Sequence, residues 1–334
     1  MPKISVIMAA YRGEKYIGSQ LKSLFAQTRT PDEILIGDDS DTDATFHAVE
    51  AVKDLYAGEF RYIRNPHRLG FVRNFLHLAQ EARGDLIFFC DQDDIWLPEK
   101  IEVLARILES DPTSEVAVCR SEMVDPDLNS LHKTPLDDVP DLLQKTEAIN
   151  AGKGFFCLLN QTIGFQGHNI AMKRSFLSVF RQIPASYEYH DLWICHTAGF
   201  FGVLRFVDQV LTLYRIHDRN ASTPCVRNVR HDLLHRFKEI RSSSGDVFGI
   251  ARQLNDLVVF MEQNSPENPN RELLTGYCRY FNWRAELLQT GCMRRLLLLC
   301  RHPGRFRDYY RYGFGARSLV RDLIVKADRP RFEK

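Results

Sequence analysis

Short apolar runs alternate with amphipathic stretches along the first third of the chain. Residues 86–90 are all apolar, which is typical of a strand buried on both faces. Residues 14–27 place Ile17, Leu21 and Leu24 on one face of a helix. The same pattern predicts strands at 4–9, 34–37, 60–64 and 116–119 and helices after Asp43 and over 71–82. This alternation indicates βαβ units and a mainly parallel, Rossmann-like α/β sheet flanked by helices.

Beyond about residue 219 the pattern changes to amphipathic segments of helical length. They predict helices over 230–240, 247–261, 271–288 and 292–301, with a turn at 265–270. We therefore expect two domains, an α/β domain over residues 1–220 and a helical region over 221–334. We also expect the Asp43 side chain to cap the helix that follows it.

Carboxylates follow two of the predicted strands directly. Asp91, Asp93 and Asp94 come after residues 86–90, and Asp38 and Asp39 come after the strand at 34–37. Right-handed crossovers place these strand ends, and the end after Ala9, on one edge of the sheet, where α/β proteins bind ligands. A divalent cation shared with a phosphate would relieve the repulsion between the acids. A solvated acidic turn remains the alternative.

Composition indicates a globular protein with an uneven charge distribution. The 334 residues carry a net charge of +1, but residues 291–334 hold twelve Lys and Arg against four Asp and Glu. Aromatic residues are interleaved with these bases. This tail suits an anionic membrane surface or a solvated face packed on the rest of the protein, and nucleic acid is not an expected partner.

Cysteines and apolar runs constrain the cellular location. The eight cysteines form no C-x-x-C pair, no apolar run reaches the roughly 18 residues that span a bilayer, and we expect no secretory leader. We expect reduced thiols and a cytoplasmic protein, with the tail allowing peripheral attachment at the inner face of the plasma membrane.

An ordered series of motifs carries a family resemblance. Residues 3–14 (KISVIMAAYRGE), 23–28 (SLFAQT), 36–43 (IGDDSDTD) and 89–98 (FCDQDDIWLP) are similar to the nucleotide-sugar-binding half of glycosyltransferase family 2, the inverting enzymes of GT-A fold. The resemblance continues through residues 160–172 and 190–193 and ends near 214–222. The later motifs look most like bacterial rhamnosyltransferases and related cell-surface polysaccharide enzymes.

The resemblance implies a metal site and a donor site. The D-x-D element maps to Asp91 and Asp93, with Asp93 the direct ligand of Mg²⁺ or Mn²⁺, and His217 is a candidate third ligand or a structural histidine. Asp39, with Asp38 beside it, is implied to accept the N3–H of uracil or thymine. The remaining donor-binding candidates are Ala9, Tyr11, Arg73, Gln92, Asn169 or the neighbouring His168, and Arg215.

Inversion needs a base that takes the proton of the acceptor hydroxyl. The resemblance assigns this role to Asp191, although many family members have Glu-Asp where this chain has His190-Asp191. A carboxylate suffices if partial burial raises its pKa. A helix N-cap is the alternative for Asp191, and His190 could orient it or bind acceptor.

We therefore expect a metal-dependent inverting glycosyltransferase. It would move a hexose or deoxyhexose from a UDP- or dTDP-linked donor to a glycan or lipid-linked glycan in bacterial surface polysaccharide synthesis. The alternatives are a sugar-phosphate nucleotidyltransferase, a phospho-accepting receiver domain and a non-catalytic nucleotide-sugar-binding protein.

Overall fold

The computed structural model describes residues 1–161, 163–220, 247–313 and 315–324. Of these, 1–183 and 187–220 form one compact unit, and 184–186 with 247–324 form a second. The predicted boundary near residue 220 and the predicted helix at 230–240 lie outside or at the edge of the described residues, so both stay predictions. None of the helices in the described ranges combines the length and hydropathy needed to cross a bilayer.

The first unit is built on one mixed sheet. Its strands are β1 Ile4–Ala10, β2 Glu33–Asp38, β3 Glu59–Arg64, β4 Leu86–Asp91, β5 Ile95–Trp96, β6 Val116–Val124, β7 Ser130–Lys133, β8 Ile170–Lys173 and β9 Leu204–Arg215. Their order is β3-β2-β1-β4-β8-β6-β9-β5, with β7 paired to β6. Strands β1 to β4 are mutually parallel, as predicted, while β8 lies antiparallel to both β4 and β6.

Helices cover both faces of this sheet. They are α1 Ile17–Phe25, α2 Ala44–Lys53, α3 Phe71–Glu81, α4 Lys100–Ser110, α5 Leu142–Asn150, α6 Phe155–Leu159, α7 Leu177–Phe180 and α8 His190–Phe201. On one face Val6 and Phe88 join α1, α2 and α4 in a continuous apolar core. On the other face the Phe89 ring packs against Phe75 and Phe180, at centroid distances of 5.4 and 5.5 Å.

Asp43 occupies the N-cap position of α2 but does not cap it. Its side chain makes no hydrogen bond to the first turn of the helix and instead forms an ion pair with Arg64 at the end of β3. The sequence-based expectation of a side-chain cap is therefore wrong, because the neighbouring strand supplies a cation that the carboxylate contacts instead.

The second unit is helical, with α9 Val247–Asn264, α10 Arg271–Leu288, α11 Cys292–Arg301, α12 Gly304–Tyr312 and α13 Ala316–Ile324. Arg284 and Asp322 form a buried ion pair at its centre, with 8% and 1% of their side chains exposed. The hydroxyl of Tyr309 donates to the same carboxylate over 2.8 Å. The α/β fold with a helical C-terminal region is thus as predicted.

Candidate active site

The parallel register brings the carboxyl ends of three strands together. Ala10 pairs with Asp38 of β2, and Ala9 pairs with Asp91 of β4. A cavity of about 980 Å³ opens beyond this edge. Nine of the residues implied by the resemblance line it: Ala9, Tyr11, Asp39, Asp91, Gln92, Asp93, His168, Asp191 and His217.

Asp39 combines a structural role with an open position on the cavity. Its Oδ1 accepts hydrogen bonds from Asn65 Nδ2 at 2.8 Å and from the Leu69 amide at 3.1 Å, and its Oδ2 accepts from the Gly70 amide at 2.8 Å. These bonds fix the segment that leads into α3. Because each carboxylate oxygen has two lone pairs, Oδ2 retains one acceptor position for a further N–H donor.

Gln92 acts through the backbone of Tyr11. Its Oε1 accepts from the Tyr11 amide at 2.9 Å and its Nε2 donates to the Tyr11 carbonyl at 3.0 Å, so the ends of β1 and β4 are joined by a two-bond amide pair. Gly13 is required for this contact, since a Cβ there would lie 2.1 Å from Gln92 Oε1. The Arg68 guanidinium lies over the Tyr11 ring, 4.0 Å from its centroid.

Asp93 is held against the turn that follows β9. The Nε2 atom of His217 lies 2.9 Å from Asp93 Oδ2. The Nδ1 atom of the same imidazole accepts from the Arg219 amide at 3.1 Å. A neutral ring that accepts at Nδ1 carries its proton at Nε2, so His217 donates to Asp93 in this arrangement. Ligation of a metal through Nε2 would require release of the Arg219 contact.

Arg215 and Tyr16 contact the Asp93–His217 pair. The Arg215 Nε donates to the Asp93 carbonyl at 2.7 Å, and its guanidinium also donates to the carbonyl of Pro126. The Tyr16 ring stacks on His217 at 5.1 Å and lies 4.5 Å from the Arg215 guanidinium carbon. Arg215 is 3% exposed and does not line the cavity.

A second cluster combines Asp91, Asp94 and His168, whose ligand-type atoms all lie within 4.8 Å of one another. His168 Nδ1 is 3.4 Å from Asp91 Oδ2 and 3.1 Å from Asp94 Oδ2. Burial raises the pKa of Asp94 to about 7. Burial also acts to raise the pKa of Asp91, but the hydrogen bond and charge of His168 outweigh it, and the net direction is down.

A fully buried lysine lies behind this cluster. Lys100 Nζ donates to the His168 carbonyl at 2.6 Å and to Thr212 Oγ1 at 2.8 Å, and it lies 3.7 Å from the Trp96 ring centroid. Burial lowers the pKa of the Lys100 ammonium. The sequence interpretation missed this residue, although Lys100, Leu104 and Leu108 follow the i, i+4, i+8 spacing of a buried helix face.

Asp191 lies in the first turn of α8, on the cavity wall. The residue at the N-cap position is Tyr189, and Asp191 Oδ1 accepts from the adjacent Leu192 amide at 2.7 Å, so Asp191 is not the N-cap. Burial raises the pKa of the Asp191 carboxyl. This is the direction that a carboxylate base needs in order to take a proton near neutral pH.

His190 lies in an aromatic cage next to Asp191. Its ring centroid is 4.5 Å from that of Phe75 and 5.2 Å from that of Phe89, and burial lowers its pKa. Neither ring nitrogen has a hydrogen-bond partner among the residues that the structure describes. Gly167 packs directly on the ring, since a Cβ there would lie 2.4 Å from Nε2.

Four residues implied by the resemblance lie away from the cavity wall. Asp38 is buried and accepts from Ser40 and Tyr62. Asn169 is buried and donates to Ser121 and Gln166, each at 3.2 Å. Arg73 is exposed on α3, and Arg215 supports Asp93 as described. Their direct contact with a donor stays a prediction.

The donor set fits a divalent oxygen-seeking ion on the cavity side of Asp91 and Asp93. The Asp91 side chain is 41% exposed and that of Asp93 is 14% exposed, and both line the cavity, whereas Asp94 is fully buried. Mg²⁺ keeps waters and substrate phosphates in its shell beside one or two carboxylates, which suits the open pair better than the buried one.

Comparison with known proteins identifies the family of this chain. The sequence profile described as "Glycosyl transferase family 2" matches residues 5–180. The chain belongs to glycosyl transferase family 2. An uncharacterized glycosyltransferase of Nostoc sp. is 26% identical over 92% of each chain. A dTDP-rhamnosyl transferase, RfbG of Shigella flexneri, is 35% identical over 28% of this chain and 34% of its own length.

Solved structures share the fold of this family 2 glycosyltransferase. A mannosyltransferase of Pyrobaculum calidifontis, in complex with GDP-Man and Mn²⁺, superposes with a TM-score of 0.54 at 15% identity, over 96% of this chain and 78% of its own. S. aureus TarS 1-349 in complex with UDP-GlcNAc superposes with a TM-score of 0.50 at 17% identity, over 92% and 91%. Both likenesses establish the GT-A fold and nothing finer.

Proposed function

We propose that this glycosyltransferase moves a hexose or deoxyhexose from a UDP- or dTDP-linked donor to a glycan acceptor, with inversion and with a divalent cation. The proposed pathway is bacterial surface polysaccharide synthesis, and a lipid-linked glycan is included among the acceptors. The observation that carries the proposal is that Asp93 and Asp91 share one cavity with Asp39 and Asp191.

The nucleotide would occupy the part of the cavity beside β1 and β2. Asp39 Oδ2 has an acceptor position left for the N3–H of uracil or thymine. The ring of Tyr11, whose backbone Gln92 holds, would lie against the base. A dTDP-linked deoxyhexose is supported by the similarity to the dTDP-rhamnosyl transferase RfbG.

The diphosphate would lie at the end of β4. Asp91 and Asp93 would hold Mg²⁺ or Mn²⁺ there, with His217 fixing the orientation of Asp93. His217 would become a third ligand only by giving up its Nε2–H contact with Asp93 and the Arg219 amide contact at Nδ1. The bound ion would stabilise the charge that develops on the diphosphate leaving group. The buried Arg215 holds the backbone carbonyl of Asp93 and His217 contacts its carboxylate, so together they would position this ligand before a donor binds.

Asp191 would act as the base. Its carboxylate would accept the proton of the acceptor hydroxyl as the oxygen attacks the anomeric carbon from the face opposite the diphosphate. Burial raises the pKa of this carboxyl, which increases its basicity. His190, fixed by its aromatic cage, would keep the start of α8 in place.

A donor screen tests the proposal. Thermal unfolding is measured with UDP-glucose, UDP-N-acetylglucosamine, dTDP-rhamnose and GDP-mannose, each with Mn²⁺, Mg²⁺ or EDTA. A donor at about a hundred times its dissociation constant stabilises the protein by about 2.7 kcal/mol. We expect stabilisation by a UDP- or dTDP-sugar only when a cation is present. Stabilisation by GDP-mannose and by none of the other donors contradicts the proposal. So does stabilisation by a donor that is as large in EDTA as with a cation.

A further inference from the structure

Helix α11 exposes its apolar side chains and buries an arginine. Met293, Leu296 and Leu297 are 76%, 48% and 58% exposed. They are three of the six large exposed apolar side chains in the second unit, among the residues that the structure describes. Arg295 on the same helix is 0% exposed. This distribution is the reverse of a helix whose apolar stripe faces its own core.

The inner face of α11 is held by hydrogen bonds as well as by packing. Arg295 donates to the carbonyls of Thr290 at 2.8 Å, Asp322 at 2.6 Å and Leu288 at 3.0 Å. Leu299, one turn later, is 1% exposed. These contacts fix the rotation of the helix about its axis, so the outward face is set by the fold.

The outward face is a continuous apolar stripe with a basic flank. Met293, Leu296, Leu297 and Cys300 follow the i, i+3, i+4, i+7 spacing of one helix face. Arg294 and Arg301 are exposed and lie two turns apart beside this stripe. We call these six residues the α11 face: Met293, Arg294, Leu296, Leu297, Cys300 and Arg301.

Size and charge select the kind of partner. The ten residues of α11 span about 15 Å, which is small for a protein interface that needs roughly 800 Å² on each partner. Leucine and methionine with arginines beside them are the composition of helices that lie in the headgroup region of anionic lipids. The excess of basic residues over 291–334 adds long-range attraction to such a surface.

We propose that the α11 face binds the surface of a membrane that contains anionic lipids. The side chains of Met293, Leu296 and Leu297 enter the boundary between headgroups and acyl chains. Arg294 and Arg301 lie at the lipid phosphates. This inference does not depend on the donor or on the transfer reaction, and it places a lipid-linked acceptor within reach of the enzyme if such an acceptor is used.

Vesicle binding by the full chain tests the proposal. Phosphatidylcholine vesicles with about one third phosphatidylglycerol are compared with pure phosphatidylcholine vesicles in a co-sedimentation assay. The test variant is L296E/L297E, and its matched control is V259E, because Val259 is a 52% exposed apolar residue on another helix of the same unit. The charge variant is R294A/R301A, and Arg279, which is exposed on α10, provides the control R279A.

We expect wild type and V259E to bind the anionic vesicles at least tenfold more tightly than the neutral ones. L296E/L297E should lose at least tenfold in affinity with an unchanged melting temperature and unchanged UDP binding. Each arginine near an anionic surface contributes about fivefold to the binding affinity. R294A/R301A should therefore bind the anionic vesicles roughly 25-fold more weakly than wild type, and R279A should bind them as wild type does.

Three outcomes overturn the proposal. One is equal binding of wild type to anionic and neutral vesicles. Another is vesicle binding by L296E/L297E that matches V259E. The third is a different partner on the α11 face. In that case wild type binds no vesicles but forms a dimer in analytical ultracentrifugation or a complex with a DNA or RNA oligonucleotide, and L296E/L297E abolishes that dimer or complex.

Discussion

The imidazole Nε2 of His217 lies 2.9 Å from Oδ2 of Asp93 and joins residues 124 positions apart in the chain. The contact closes the turn after β9 onto the end of β4. It holds the Asp93 carboxylate, which the proposed metal would need, in place before any ligand binds. The candidate site in this protein is therefore assembled from both halves of the sheet.

The proposed role of Asp191 as base predicts a specific pattern for D191N. Loss of a general base lowers turnover by about 10²–10⁴-fold, while donor binding should remain. The control E188Q changes an exposed carboxyl three residues away and should behave as wild type. Turnover by D191N at the wild-type rate would exclude Asp191 as the base.

The pH dependence of the reaction gives a second readout of the same residue. Only the ionised carboxylate accepts a proton, so the rate falls as pH drops through the Asp191 pKa. Because burial raises that pKa, the fall should be centred above the ordinary aspartate value of about 3.9. The measurement is kcat/KM against pH. A fall centred at or below the ordinary value would contradict this account.

The contact between Gly167 and His190 predicts that G167A is destabilising. A Cβ at this position would lie 2.4 Å from His190 Nε2, so the ring and the start of α8 must shift. Overpacking of this kind costs about 1–3 kcal/mol in the free energy of unfolding. G164A is the matched control, since a Cβ there meets no atom of the described residues within 4 Å.

Urea unfolding and kcat are measured for both glycine variants. G167A should lose stability and also turnover, because Asp191 follows His190 in the chain. The double variant G167A/H190A should lose less stability than the two single variants combined, since it removes the clash. Identical behaviour of G167A and G164A would show that the His190 cage does not constrain the site.

The buried pair in the second unit predicts a large loss of stability for D322A. This change leaves the Arg284 guanidinium buried without its carboxylate, and breaking such a pair costs about 3–5 kcal/mol. D308A removes the carboxylate of the more exposed Arg305–Asp308 pair and should cost at most about 1 kcal/mol. The measurement is the free energy of unfolding in urea. Equal losses in the free energy of unfolding for the two variants would show that the buried Arg284–Asp322 pair contributes no more than an exposed one.

Local pattern predicted a large part of this fold. The helices α10 and α11 begin and end where their amphipathic periodicity predicts, and both acid clusters follow short apolar strands at one sheet edge. These features depend on residues that are close in sequence. The family motifs added the order of the site residues along the chain.

Contacts between distant segments were not predictable in the same way. The antiparallel insertion of β8 between β4 and β6 has no local signature, and neither has the contact of Lys100 with the carbonyl of His168. The burial of Arg295 was not predictable for the same reason, because its segment has the composition of a basic surface helix. Each depends on a partner that only the folded chain brings near.

Calorimetric titration of UDP and dTDP with Mn²⁺ or EDTA present tests the central claim most directly. If Asp91 and Asp93 hold a cation against a diphosphate, one of the two nucleotides binds only with the cation. The variant D93N should then lose this binding, and D208N, which changes an exposed carboxyl on β9, should keep it. Binding of equal strength in EDTA, or by D93N with Mn²⁺, would contradict the account.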